Sequence, residues 1–184
     1  KDSGMFTYDP GYTSTASCES KITFIDGENS ELRYRGYDIA DLAGKHSFLD
    51  VSYLLMRGKL PTEQASKNFD LEIRHRSFLN EGIIRLFDAL PDGAHPMATM
   101  GAATMALSAF YKDHLHLEDE EAFKMMRRRI LAKMPVIAAM AYRNSIGTPL
   151  IYPDVNKYFT ENFLYMLRAY PGGKMKYLGD GVND

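Results

Sequence analysis

The stretch EEAFKMMRRRILAKMPVIAAMAYRNSIG, residues 120–147, decides the fold of this chain because it is the longest helical pattern in the sequence. Proline at 135 is expected to kink or break that helix, since proline lacks the backbone N–H and its ring clashes with the preceding turn. A second helical segment is expected to continue from Val136 to the turn at 145–147. Apolar residues three or four positions apart predict one buried face, formed by Phe123, Met126, Ile130 and Met134.

Shorter helices are predicted on either side of the long one. Most have a recognisable start or stop, such as Ser47 before one helix and Gly58 after it. The helix that starts at Pro96 carries a stripe of small residues, which favours close approach of a second helix. The stripe consists of Ala98, Ala102, Ala106 and Ala109. The predicted ranges are 47–57, 62–73, 80–90, 96–111 and 158–170.

A short β-hairpin is predicted before the helices. Segments 21–26 and 31–34 have the composition of strands, and turn residues lie between them. An isolated hairpin is marginally stable in water, so this one must pack on something else. We therefore expect a mainly α fold, with an irregular segment and hairpin at 1–36 and a helical part at 37–184.

Composition excludes several classes of protein. The chain has 184 residues, of which 45% are apolar and 25% charged, as in an ordinary folded protein. Its formal charge of −2 gives no reason to expect binding to nucleic acid or to an anionic membrane. The single cysteine, Cys18, excludes an internal disulfide framework and a zinc site built on several thiolates. We expect a cytoplasmic protein, because no apolar signal core follows Lys1 and the uncharged run at 93–111 is a poor membrane span.

Two motifs suggest a metal site, and we interpret neither of them as one. His114 and His116 lie near acidic residues, but histidines at this spacing in a polar connection are usually solvated rather than metal ligands. The tail LGDGVND at 178–184 resembles the magnesium-binding segment of haloacid-dehalogenase-type phosphatases. Such enzymes also need an upstream aspartyl nucleophile in a DxD or DKTG context, which this sequence lacks. We interpret the tail as a chance similarity and expect no metal site.

Basic residues concentrate at two helices in the middle of the chain. One helix ends in Arg74-His75-Arg76, and Arg129 and Lys133 lie four residues apart on the long helix. Like charges at that spacing mildly destabilise a helix, so a bound anion would justify them. A solvated face balanced by the acidic residues at 118–121 is the alternative, and composition alone favours it.

Five segments carry a pattern that points to a known family. They are DPGYTSTASCESKITFIDG at 9–27, RGYDIADLA at 35–43, VSYLLMRGKLPT at 51–62, AHPMATMGAATMALSAFY at 94–111 and KMPVIAAMAYRNSIGTPLIYP at 133–153. In this order and spacing they resemble the large domain of citrate synthases, over nearly the whole chain. The pattern is most similar to the bacterial type II branch, which is hexameric and often inhibited by NADH.

The resemblance implies an acyltransferase that condenses acetyl-CoA with oxaloacetate to give citrate and CoA, without a metal or other cofactor. In this family the catalytic histidines, the aspartate and the oxaloacetate-binding arginines lie beyond the end of this chain. We therefore expect no catalytic residue here, a large-domain piece clipped at both ends, and no activity from the piece alone. A 2-methylcitrate synthase and a non-catalytic helical dimerisation or nucleotide-sensing module remain the alternatives.

The resemblance also implies an allosteric NADH site and self-association. Tyr111, Arg129 and Lys133 match the NADH pocket of the type II branch by motif, while His75 and Arg76 match its Arg-His pair in reversed order. The helices around 96–111 and 133–145 match the central dimer interface, and the complete enzyme would be a trimer of dimers. No nucleic acid or membrane partner is implied.

Overall fold

The computed structural model describes residues 8–112 and 118–170 of the chain. The histidines at 114 and 116 and the tail at 178–184 lie outside the described residues. The interpretation of these motifs as neither a metal site nor a phosphatase segment therefore stays a prediction. The backbone divides after Thr62 into two compact units, residues 1–62 and 63–184, which are described separately below. The division at residue 36 expected from the sequence remains a prediction.

The first unit begins with a three-stranded antiparallel sheet in the order β1-β2-β3. Its strands are β1 (Thr23–Asp26), β2 (Glu31–Tyr34) and β3 (Tyr37–Asp38). The predicted hairpin is confirmed, with Asp26 opposite Glu31 across the turn. A third strand extends it, because the backbone reverses at Arg35 and Gly36, both with φ above +50°, and then pairs with β2.

Two helices complete the first unit, α1 (Ile39–Leu42) and α2 (Phe48–Arg57). The predicted start of α2 is confirmed: Ser47 and Asp50 form a reciprocal capping box. Its predicted stop is also confirmed, because Gly58 is left-handed at φ 83° and donates its N–H to the Leu54 carbonyl.

The second unit is helical among its described residues. Its helices are α3 (Glu63–His75), α4 (Glu81–Asp88), α5 (Pro96–Phe110), α6 (Glu120–Ser145) and α7 (Phe159–Arg168). Asn80 caps α4, and Pro96 occupies the first turn of α5, where its missing N–H costs nothing. The core of the unit is an apolar cluster drawn from α4, α5, α6 and α7. The predicted mainly α fold with a small β element is confirmed.

Helix α6 differs from its prediction in two respects. It runs without a break through Pro135, because one lost hydrogen bond is outweighed when the next residues pack in the core. Val136 and Ile137 are at most 1% exposed. The predicted apolar seam is wrong at Phe123 and Ile130, which are about 40% exposed, whereas Met134 is partly buried and packs against the core. The buried face includes small residues that a search for large apolar side chains overlooks, such as Ala132 and Ala139.

Helix α5 buries a different line of residues from its alanine stripe. Thr99, Ala103 and Leu107 face the core of the unit. The stripe leaves Ala98 and Ala102 exposed. Met97 and Met105 are also exposed, at 65% and 74%. This apolar face of α5 is therefore not covered by the residues that the structure describes.

Candidate functional site

Lys133 lies near the middle of α6 with its side chain turned into the protein. The residue is 4% exposed, although lysine is rarely buried. Its ammonium group donates to the Arg76 carbonyl at 2.9 Å and to the Phe78 carbonyl. Both carbonyls belong to the connection that follows α3. Lys133 therefore fastens α6 to this connection, and its charge is solvated by backbone oxygens instead of water.

Arg129 and Lys133 lie over the same aromatic ring. The guanidinium carbon of Arg129 is 4.4 Å from the centre of the Tyr111 ring, and Lys133 Nζ is 5.7 Å from it. Both distances lie within the range of cation–π attraction. Tyr111 directly follows α5, so this contact joins the end of α5 to one edge of α6.

The neighbouring positive charges affect the pKa of Lys133. Burial, with the nearby charges of Arg129 and Arg76, lowers the pKa of Lys133 to about 8 from its ordinary 10.5. Arg129 shares the Tyr111 ring with the lysine, and Arg76 accepts from it through its carbonyl. We call Arg76, Tyr111, Arg129 and Lys133 the Tyr111 cluster.

A carboxylate lies at one side of the Tyr111 cluster. Glu72 Oε1 accepts from Arg76 Nε at 3.0 Å and from Arg128 Nη1 at 3.0 Å. These contacts join α3 to α6 across 56 residues of sequence. The sequence drew attention to the basic residues but gave no sign that Glu72 and Arg128 meet, because nothing local in the sequence links them.

The structure brings together four of the five residues predicted for the NADH pocket. His75 is the exception: it ends α3 with an exposed side chain and takes part in none of the cluster contacts given above. Arg129 Nη1 is buried and forms no hydrogen bond with any residue the structure describes. A donor of this kind, beside two further cations and an aromatic ring, suits an anionic ligand that also offers a flat surface.

A separate cavity opens where α6 and α7 end. Its volume is about 510 Å³, and its lining includes Tyr142, Arg143 and Arg168. Arg143 is 4% exposed and donates to the carbonyls of Pro149, Met166 and Leu167. The sequence gave no indication of this buried arginine, whose hydrogen bonds hold the end of α7 against α6.

Within residues 8–112 and 118–170, no three metal-ligating side chains come together. Cys18 is exposed and free. None of the described helices combines the length and the apolar composition needed to cross a membrane.

Comparison with solved structures defines the class of this fold. It is similar to a citrate synthase from Pyrobaculum aerophilum, with a TM-score of 0.78 and 29% identity over 91% of this chain and 45% of that one. A citrate synthase from Thermotoga maritima gives a TM-score of 0.72 and 28% identity over 88% of this chain and 41% of that one. The fold is thus that of a mainly helical segment of a larger enzyme.

Comparison of sequences identifies the family. The family model described as "Citrate synthase, C-terminal domain" matches residues 11–178. A citrate synthase from Helicobacter pylori is 48% identical over 179 residues, which cover 97% of this chain and 42% of the relative. The chain belongs to the citrate synthase family, whose members are acyltransferases. It spans less than half the length of these relatives.

Proposed function

We propose that this chain is part of a citrate synthase that condenses acetyl-CoA with oxaloacetate to give citrate and CoA, a step of the tricarboxylic acid cycle. The observation that carries the proposal is the 48% identity to a citrate synthase, which extends over 97% of the chain. The chain supplies the helical scaffold of the large domain, and the catalytic groups come from residues outside it. The enzyme acts in the cytoplasm and uses no metal.

Release of CoA tests this proposal. Free thiol is followed after acetyl-CoA and oxaloacetate are mixed with the complete enzyme that contains this chain, and in parallel with the 184-residue chain alone. We expect citrate formation by the complete enzyme and none by the chain. Comparable CoA release by the chain alone would show that it carries catalytic groups. A higher kcat/KM with propionyl-CoA than with acetyl-CoA would favour the second candidate, a 2-methylcitrate synthase.

The finer part of the proposal is regulation by NADH, as in the type II branch. The Tyr111 cluster supports it, because Arg129 and Lys133 supply positive charge beside an aromatic ring. Arg129 Nη1 also lacks a hydrogen-bond partner among the described residues. In this proposal the dinucleotide's pyrophosphate and ribose face the cluster, with Arg76 and His75 at its border. Titration with NADH tests it, and an enzyme that neither binds NADH nor is inhibited by it lacks this regulation.

Self-association is a further part of the proposal. The exposed small residues of α5 support a dimer through the helices around 96–111 and 133–145, because they permit close packing across a two-fold axis. Three such dimers form the hexamer of the complete enzyme. Light scattering is the test, and a chain that remains monomeric at high concentration refutes the dimer. A dimer that binds nucleotide, in a complete protein without synthase activity, supports the non-catalytic alternative.

A further inference from the structure

Glu72 makes a contact that none of the roles above accounts for. One of its carboxylate oxygens accepts from Arg76 Nε and Arg128 Nη1, each at 3.0 Å. The three side chains are only 19% to 29% exposed, so water screens the contact less than it does a pair of fully exposed charges. One carboxylate thus holds two guanidinium groups, one from the connection after α3 and one from α6.

The guanidinium group of Arg76 interacts with both Glu72 and Lys133. Its Nε is bound to Glu72, and the charge of its guanidinium acts on Lys133. Within the part of the chain that the structure describes, Nη1 and Nη2 of Arg76 form no hydrogen bond or ion pair. Glu72 therefore fixes the guanidinium plane through Nε and leaves the two terminal nitrogens for another acceptor. These are the nitrogens that bind phosphate in a bidentate way.

The charges nearest Lys133 support this geometry. Both groups whose charges act on Lys133, Arg76 and Arg129, are cations, and Lys133 Nζ donates to the Arg76 carbonyl at 2.9 Å, which places Arg76 beside the cluster. Among the described residues Glu72 forms hydrogen bonds and ion pairs with Arg76 and Arg128 and none with Arg129 or Lys133, so it contacts the cluster through Arg76.

We propose that Glu72 is a positioning residue for an anionic ligand of the Tyr111 cluster: it holds Arg76 so that its terminal nitrogens bind a phosphate together with Arg129 and Lys133. The inference rests on the proposed function in one respect, since it takes the cluster to be a ligand site. It goes further by giving a role to Glu72, and to Arg128 as the second cation that holds Glu72 in place.

Binding of inorganic pyrophosphate to the complete enzyme tests the inference by calorimetry, with no assumption about the nucleotide. We expect Glu72→Ala to weaken binding about tenfold, the effect of losing one charge-assisted contact. Glu72→Gln is expected to stay within about twofold, because its amide oxygen still accepts from both arginines. In the Arg76→Ala background, Glu72→Ala should add no further loss, since Glu72 acts through Arg76.

Glu63→Ala is the matched control, because it removes the same charge from an exposed ion pair at the other end of α3. It should leave pyrophosphate affinity unchanged. Three results would overturn the inference. Glu72→Ala could bind pyrophosphate more tightly, or it could lose as much affinity in the Arg76→Ala variant as in the enzyme with Arg76 intact. The third is that the unaltered enzyme does not bind pyrophosphate.

The proposed regulation can fail without the inference. If pyrophosphate binds and depends on Glu72 through Arg76, but NADH neither binds nor inhibits, the nucleotide assignment is wrong and the positioning role stands. If NADH inhibits and its affinity is unchanged in Glu72→Ala, the regulation stands and the positioning role is wrong.

Discussion

The buried ammonium group of Lys133 predicts an unusual dependence of stability on pH. Its pKa is lowered to about 8, whereas in the unfolded chain it returns to about 10.5. Between these two values the unfolded state holds a proton that the folded state has released. The free energy of unfolding must therefore rise with pH through this range, as the cost of keeping a buried charge is relieved.

The size of the effect follows from the two pKa values. From pH 7 to pH 9 the folded lysine loses most of its proton, while the unfolded lysine keeps nearly all of it. Integration over that interval gives a gain of about 1 kcal/mol in the free energy of unfolding. The neutral amine still has two N–H groups for the carbonyls of Arg76 and Phe78, so these contacts need not be lost.

Urea unfolding of the chain and of Lys133→Gln at pH 7, 8 and 9 measures this contribution. The glutamine amide keeps N–H donors but does not titrate, and all other groups cancel in the difference. The unaltered chain should gain about 1 kcal/mol relative to the variant over this range. A difference that is flat, or that falls with pH, would refute the reasoning. If the variant does not fold, an NMR titration of the Lys133 side chain should show a midpoint near 8.

Three further substitutions test local features, each by the midpoint of urea unfolding. Arg143→Met should cost about 3 kcal/mol, because three backbone carbonyls lose their buried donor, while Arg168→Met, at an exposed position, should change little. Ser47→Ala should cost about 1 kcal/mol through loss of the capping box. Gly58→Ala should cost about 1 kcal/mol because of its φ of +83°, and Gly27→Ala, with open space and no positive φ, should not. These assignments would be contradicted if Arg143→Met and Arg168→Met, or Gly58→Ala and Gly27→Ala, lowered the free energy of unfolding equally. They would also be contradicted if Ser47→Ala did not lower it.

Local signals in the sequence were sufficient to predict five of the described helices, α2, α3, α4, α5 and α7, to within a few residues. Ser47 and Gly58 act on backbone groups a few residues away, so their roles can be inferred without knowledge of the rest of the chain. The alternation of apolar and polar residues predicted the hairpin, although it missed the third strand, which is only two residues long.

The buried face of α6 could not be predicted in the same way. Periodicity favours large apolar side chains, yet the core includes alanines together with Lys133 and Arg143. A cation is buried only where backbone carbonyls happen to be placed for it, and those carbonyls come from other segments. Likewise, the sequence did not reveal that Arg128, next to Arg129, has an acidic partner 56 residues away within the chain.

The two buried cations of α6 differ in how far along the chain their partners lie, and this has a consequence for folding. Arg143 contacts residues 6 to 24 positions away, whereas the carbonyls bound by Lys133 are 55 and 57 positions away. Closing a short loop costs less conformational entropy than closing a long one. Hydrogen exchange during refolding should therefore show protection at the α6–α7 end before the connection after α3 becomes protected.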